Sequence, residues 1–272
     1  MPGPGTAAGP AAGRARPTRI AVERSGDGAR FALLDQGHYL APRPVSGGHV
    51  PGGSAPGRRH LRVALIGIHM MLLGGDDVRI EISVGPGVTL EVIEPAGMVA
   101  YNAEGRQSRW CLDAVLGEGS VLIWSGAAFV AAAGSNVLRE TRIRLGTDAR
   151  VLLRETLVLG RSGEDAGPLR SVTRVTGADG GDYLYEDLDL HGMRHRAVGV
   201  LGRSKVLASV TAAGWRPAAG LGLGSGSDGT ESAARRFELA LPGAVVRALS
   251  GSAHAADREI DPEFTHWKAQ LG

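Results

Sequence analysis

Two glutamates stand where apolar residues are expected. From Arg150 to Leu159 the residues of one parity are Val151, Leu153, Glu155, Leu157 and Leu159. From Tyr183 to Leu190 they are Leu184, Glu186, Leu188 and Leu190. A period of two is that of a β-strand, whose successive side chains point to opposite faces, so each carboxylate is carried inward with its apolar neighbours. An unpaired carboxylate there costs on the order of several kcal/mol. Two readings stay open: structural ion pairs, for which Arg154, Arg161 and Arg174 are the nearby cations, or a wet passage that handles cations. Paired carboxylates also serve glycoside hydrolysis, but four Trp, four Tyr and four Phe leave few aromatic platforms for stacking a sugar.

Cys111, His69, His191 and His195 are the other candidate metal ligands. His191 and His195 would share a helix face, yet Leu188, Leu190 and Gly192 predict a strand end and a turn, and Arg194 and Arg196 oppose a cation. The expectation is surface histidines and no permanent metal site. Gly74-Gly75-Asp76-Asp77 shares its start with the Gly-Gly-Asp/Glu-Glu-Phe hairpin of nucleotide cyclases, without the Glu-Phe or helical flanks. It predicts a bend whose Asp side chains cap their own backbone. Gly220 to Gly226 has no strand–glycine–helix context for a dinucleotide, and no Gly-x-x-x-x-Gly-Lys-Ser/Thr occurs. With no Gly-x-Ser-x-Gly, His-Glu-x-x-His or Cys–His pairing either, the chain offers no catalytic constellation.

The elements that must hold these residues are strands. Val78, Ile80, Ile82 and Val84 alternate with Arg79, Glu81 and Ser83; Gly85-Pro86-Gly87 follows, then a second run through Val88, Leu90 and Val92. Turn residues between two alternating runs predict a β-hairpin. A further hairpin is predicted from Ile20 and Val22 to Phe31–Leu34 around Gly26-Asp27-Gly28. Strand patterns recur at Leu61–Leu65, Arg109–Val115, Ser120–Trp124, Val137–Leu145, Arg150–Leu159, Ser171–Thr176, Tyr183–Leu190, Lys205–Thr211 and Phe237–Leu241, with glycine-bearing separators. Ala96 to Gln107 reads as irregular. Short helices are predicted at Ala244–Leu249 and at Pro262–Gln270, the second with Asp261 as N-cap and Pro262 in first position. The fold class is all-β, a solenoid or stacked sandwich without a strict repeat.

The totals agree. Forty-two glycines in 272 residues are more than twice the usual share and imply many turns. A formal charge of +2 with scattered arginines argues against nucleic acid. A single cysteine excludes an internal disulfide and suits a reducing compartment. Residues 1–17 read as a disordered arm without the apolar run of a secretory signal, and 18–272 as one β-rich domain interrupted by a Gly/Ser loop at 218–230. No apolar run is long enough to span a bilayer, so a soluble cytoplasmic protein is expected.

Taken in order, the pieces resemble the urease accessory protein UreD (UreH) family. The resemblance lies in Gly74-Gly75-Asp76, the strand Val78–Val84, Gly85-Pro86-Gly87, the strand Val88–Ile93, Pro95-Ala96 and Tyr101. It continues through Gln107, Trp124, Gly126-Ala127, Glu155, Leu159-Gly160-Arg161 and Gly163-Glu164, covering about residues 60–190. Ser125-Gly126 stands where the family usually has Leu-Pro, and Val99 where it has Lys. The resemblance implies a non-enzymatic maturation factor built as an elongated, helix-like stack of strands with two short helices. Its implied partners are apo-urease, a UreF-type accessory protein and a UreG-type GTPase, with nickel in transit through an internal channel. Glu155 matches the family's acidic position and Glu186 falls at a second one; these two are the expected lining, because nickel in transit needs weak, exchangeable oxygen ligands.

Overall fold

The computed structural model describes residues 15–46, 59–197, 199–218, 220 and 234–271. The expected N-terminal arm (apart from residues 15–17) and most of the Gly/Ser loop lie outside them. Strands dominate, in two stacked sheets. One holds β1 (Thr18–Ser25), β2 (Gly28–Asp35), β5 (Asp77–Val84), β8 (Ser108–Leu116), β10 (Val137–Leu145), β12 (Leu169–Thr176) and β13 (Asp182–Asp189), in the order β13-β12-β10-β8-β5-β1-β2. The other holds β3 (Leu40–Pro44), β4 (His60–Gly67), β6 (Thr89–Ile93), β9 (Val121–Ala131), β11 (Arg150–Leu159), β14 (Val206–Ala213), β15 (Arg235–Glu238) and β16 (Gly243–Ser250). Its order is β15-β16-β14-β11-β9-β6-β4-β3, with the three-residue β7 (Met98–Ala100) on β9. The Phe31–Leu34 hairpin and the strands at 137–145 and 150–159 lie where alternation predicted them.

The Gly-Pro-Gly hairpin does not form. β5 pairs in parallel with β1 and β8 of the first sheet, whereas β6 pairs in parallel with β4 and β9 of the second. The turn is an arc that carries the chain from one sheet to the other, and the middle of the protein is a two-faced β-solenoid. Alternation cannot distinguish the two outcomes, since both need one buried row per strand. Stacking of successive arcs decides it. The arcs Gly85-Pro86-Gly87-Val88, Gly117-Glu118-Gly119-Ser120 and Gly146-Thr147-Asp148-Ala149 lie on one another, with Gly87 N donating to Glu118 O at 2.9 Å and Gly119 N to Thr147 O at 2.8 Å. Each third position has a positive φ, at Gly87, Gly119 and Asp148, where glycine or aspartate is tolerated.

Between the sheets lies a core that includes Ile80, Leu90, Trp110, Leu112, Leu122 and Trp124. Outward rows of the first sheet are ionic, with Arg109 at 2.7 Å from Glu140 and Arg19 at 2.8 Å from Glu81. The outer face of the second sheet is covered by α1 (Ala253–Ala269), which buries Ala256, Ile260, Phe264 and Trp267.

Both predicted C-terminal helices are corrected. Ala244–Leu249 belongs to strand β16, because Ala244, Val246 and Ala248 alternate against the helix side. The helix itself begins nine residues before Pro262, capped by Ser252, whose side chain accepts from Ala255 N at 3.3 Å. Pro262 sits exposed within it. The carbonyl that a proline leaves unpaired is that of Arg258, also on the exposed side, and burial of the opposite face outweighs the loss.

Candidate functional site

Glu155 and Glu186 both point between the sheets, and each meets an arginine from the opposite one. Glu155 of β11 pairs with Arg139 of β10, and Glu186 of β13 pairs with Arg247 of β16. The expected cations are engaged elsewhere. Arg154 lies on the outer face of β11 and holds α1 through Asp261 at 2.7 Å and Asp257 at 3.1 Å. Arg161 pairs with Glu164, and Arg174 with Asp182. Odd and even residues of one strand face opposite ways, so Arg154 could not be the partner of Glu155.

Register explains why the two pairs belong to one feature. Parallel pairing of β10 with β12 sets Arg139 beside Ser171 and Thr141 beside Thr173, and β12 pairs with β13 to set Thr173 beside Glu186. On the facing sheet Glu155 lies beside Ser209, and Ser209 beside Arg247. A polar band therefore crosses an otherwise apolar space, three strands wide on each sheet. One end is closed, with the Arg139 and Glu155 side chains 6% and 15% exposed; the other is more open, with Arg247 and Glu186 at 28% and 21%. Thr141 Oγ1, Arg139 Nε and Arg247 Nε are buried without a hydrogen-bond partner. Polar groups in that state want a ligand or water.

At the closed end the band opens into a cavity of about 10 Å³, room for about one water molecule. Arg139, Glu155, Trp110, Trp124 and Glu94 line it. The Arg139 guanidinium stands 4.3 Å from the Trp110 ring centroid. Glu94, just after β6, accepts a hydrogen bond from Ala127 N at 3.0 Å. Its carboxyl is pushed up to about 7 by burial, opposed by the Ala127 N–H and by Arg139 and reinforced by the charge of Glu155. The site thus pairs an arginine-balanced carboxylate with a second carboxyl that gives up its proton near neutrality.

A β-bulge presents Ala127. β9 and β11 are in register at Ser125↔Arg154 and again at Ala128↔Thr156, leaving Gly126-Ala127 opposite Glu155 alone. A Cβ at Gly126 would lie 2.4 Å from Arg154 O and 3.2 Å from Trp124 Nε1. Gly126→Ala is expected to cost roughly 1–3 kcal/mol in denaturant unfolding and to turn the Ala127 amide away from Glu94. Unchanged stability would show that the bulge relaxes freely.

Glu94, Arg139 and Arg247 escaped the sequence reading, although the parity that singled out Glu155 holds for the first two. Glu94 continues Leu90 and Val92, and Arg139 lies in the row of Val137 and Ile143. Trp124 packs edge-to-face on Trp110 with centroids 6.2 Å apart. The resemblance residues fall into separate places. Gly85 and Gly87 lie in the stacked arcs, whereas Gly74, Gly75, Asp76, Tyr101, Gln107, Gly160, Arg161 and Glu164 gather at the opposite end of the strands. There Gly75 N donates to Gln107 O at 3.2 Å, and the Arg161 guanidinium lies 5.1 Å from the Tyr101 ring centroid. Asp76 Oδ2 accepts from Leu73 N at 2.9 Å, the self-capped bend expected of this segment.

The four other candidate ligands stay apart. Cys111 is buried beside Glu140, His69 Nδ1 lies 2.5 Å from His38 O, and His191 Nδ1 lies 2.5 Å from Asp189 Oδ1. His195, expected at the surface, is buried, because the short 3₁₀ turn Gly192–Arg196 folds it inward. Among the described residues no group of three or more His, Cys, Asp or Glu is arranged to hold a metal ion. Among the described residues no helix is long and apolar enough to cross a membrane.

Fold and site together define a β-solenoid with a charged, arginine-balanced interior. The family described as UreD urease accessory protein matches residues 71–271. The chain is 41% identical over 256 residues to urease accessory protein UreD 1 of Streptomyces griseus, covering 93% of this chain and 92% of that protein. It is 32% identical over 266 residues to urease accessory protein UreD of Parafrankia sp., covering 89% and 85%. The chain belongs to the UreD family of urease accessory proteins. These relatives are named as accessory proteins, not as enzymes.

Proposed function

We propose that this protein serves urease maturation by passing nickel along the polar band between its sheets, while its outer surfaces hold apo-urease together with a UreF-type accessory protein and, through the complex, a UreG-type GTPase. The observation that carries the reading is the band itself. Polar side chains from six strands replace apolar ones across a buried interface, at an energetic cost that packing does not explain. Carboxylates stand at both ends, and each is balanced by an arginine rather than locked into a cage. A divalent cation entering beside Glu155 displaces the guanidinium from one oxygen and releases the Glu94 proton, so the charge of the cavity rises by one rather than by two. Carboxylate oxygens bind nickel weakly enough to let it go, unlike thiolates or a histidine cluster.

Glu155→Gln combined with Glu186→Gln keeps an oxygen acceptor facing each arginine and removes both charges. The expected result is unchanged circular dichroism and unchanged co-purification with urease, with a several-fold lower nickel content in urease matured by the variant. Undiminished nickel content would leave a structural adaptor that handles no metal.

A further inference from the structure

A second site lies outside the band, where the end of β11 meets the start of β14. His195 and Arg196 of the 3₁₀ segment Gly192–Arg196, together with residues 202–205, border an open cavity of about 470 Å³ at this corner. That is within the usual range for small-molecule sites. Its lining includes the cations Arg196, Arg203 and Lys205 and the apolar residues Leu159 and Ala166. Asp165 is the single acidic residue of the lining and is already paired with Arg196.

The remaining cations are underused. Arg203 has no ion-pair or hydrogen-bond partner among the described residues. Lys205 Nζ spends one N–H on Glu164 O at 2.8 Å, which leaves two free. His195 is 8% exposed, lines the cavity, and its Nδ1 is buried without a partner. A buried imidazole nitrogen with no partner is costly, and a ligand oxygen or proton donor in the cavity would satisfy it.

We propose that this corner is a binding site for a phosphate dianion, either free or as the monoester of a small molecule. Three basic side chains against one aspartate leave a formal excess of two positive charges, which matches a dianion. Guanidinium and ammonium groups of the lining supply charged donors, the Ser204 hydroxyl is a neutral one, and Leu159 and Ala166 give apolar surface for the body of an ester. The site needs no nickel and no urease, so it stands or falls apart from the band.

The test is calorimetric titration of the full chain with inorganic phosphate and, separately, with AMP as a monoester, at constant ionic strength. Saturable one-to-one binding is expected, weakened at least tenfold by Arg203→Glu, whose exposed position keeps the fold, and by Lys205→Met. Tighter binding of AMP identifies an ester as the ligand; equal binding identifies the phosphate alone. No saturable binding of either probe at millimolar concentration would overturn the proposal, as would equal affinity of wild type and Arg203→Glu.

Discussion

Arg139→Met is expected to destabilise the protein by roughly 3–5 kcal/mol at pH 8, the usual result of removing one partner from a buried ion pair. The substitution keeps the side-chain volume and leaves Glu155 without its cation, in a cavity that already holds Glu94. The pH dependence has a definite sign. Glu94 already has its carboxyl raised to about 7 from 4.5, chiefly by burial, so it binds more protons folded than unfolded between those values. That favours the folded state below pH 4.5 and is lost as pH rises through 7. Loss of Arg139 removes a charge that holds Glu94 down, so that carboxyl rises further and the variant regains stability on acidification. Adding Glu155→Met to the single variant should recover most of the loss, since an apolar pair of similar volume replaces a buried ionic one. It should not recover nickel delivery. Urea unfolding at pH 5 and pH 8 measures both effects; a single variant as stable as wild type at pH 8 would show that the pair is solvated.

The second large effect belongs to the other face of the same sheet. Glu91 is 2% exposed, with Lys268 of α1 at 2.6 Å, Arg62 at 3.2 Å and His60 at 3.3 Å. Burial alone would raise its carboxyl, but His60, Lys268 and Arg62 together bring it down to about 2. Its stabilisation is therefore complete above about pH 4.5 and is lost as pH falls through 2, and amounts to about 3 kcal/mol. Glu91→Ala strands three basic groups under the helix and is expected to cost roughly 3–5 kcal/mol and to loosen α1. Hydrogen exchange along Ala253–Ala269 should rise well above that of β9. Glu91→Gln should flatten the acid limb of the stability curve; an unaltered limb would place the acid transition on other carboxylates.

The inward direction of Glu155 and Glu186 was legible because a two-residue period assigns faces without reference to anything distant. Their partners were not. Arg139 is 16 residues from Glu155 and Arg247 is 61 from Glu186, and only stacking of the two sheets brings each pair together. Nearest arginines in sequence, such as Arg154, lie on the wrong face. The same limit explains the hairpin that became an arc at Gly85-Pro86-Gly87, since a turn's residue types specify bending but not which strand accepts the hydrogen bonds. It also explains Pro262, which local rules place at a helix start and which the second sheet overrode by burying Ala256 and Ile260 before it.

By itself the chain determined most of its strands, their buried rows, the two acidic intrusions into those rows and the likeness to UreD. All of these are carried by neighbours in sequence. The tertiary structure alone decided that the strands form a solenoid, that the intrusions join into one polar band, and that Glu94 shares a cavity with Glu155. Those outcomes rest on hydrogen bonds and charges between residues far apart in the chain, whose energies no local pattern encodes.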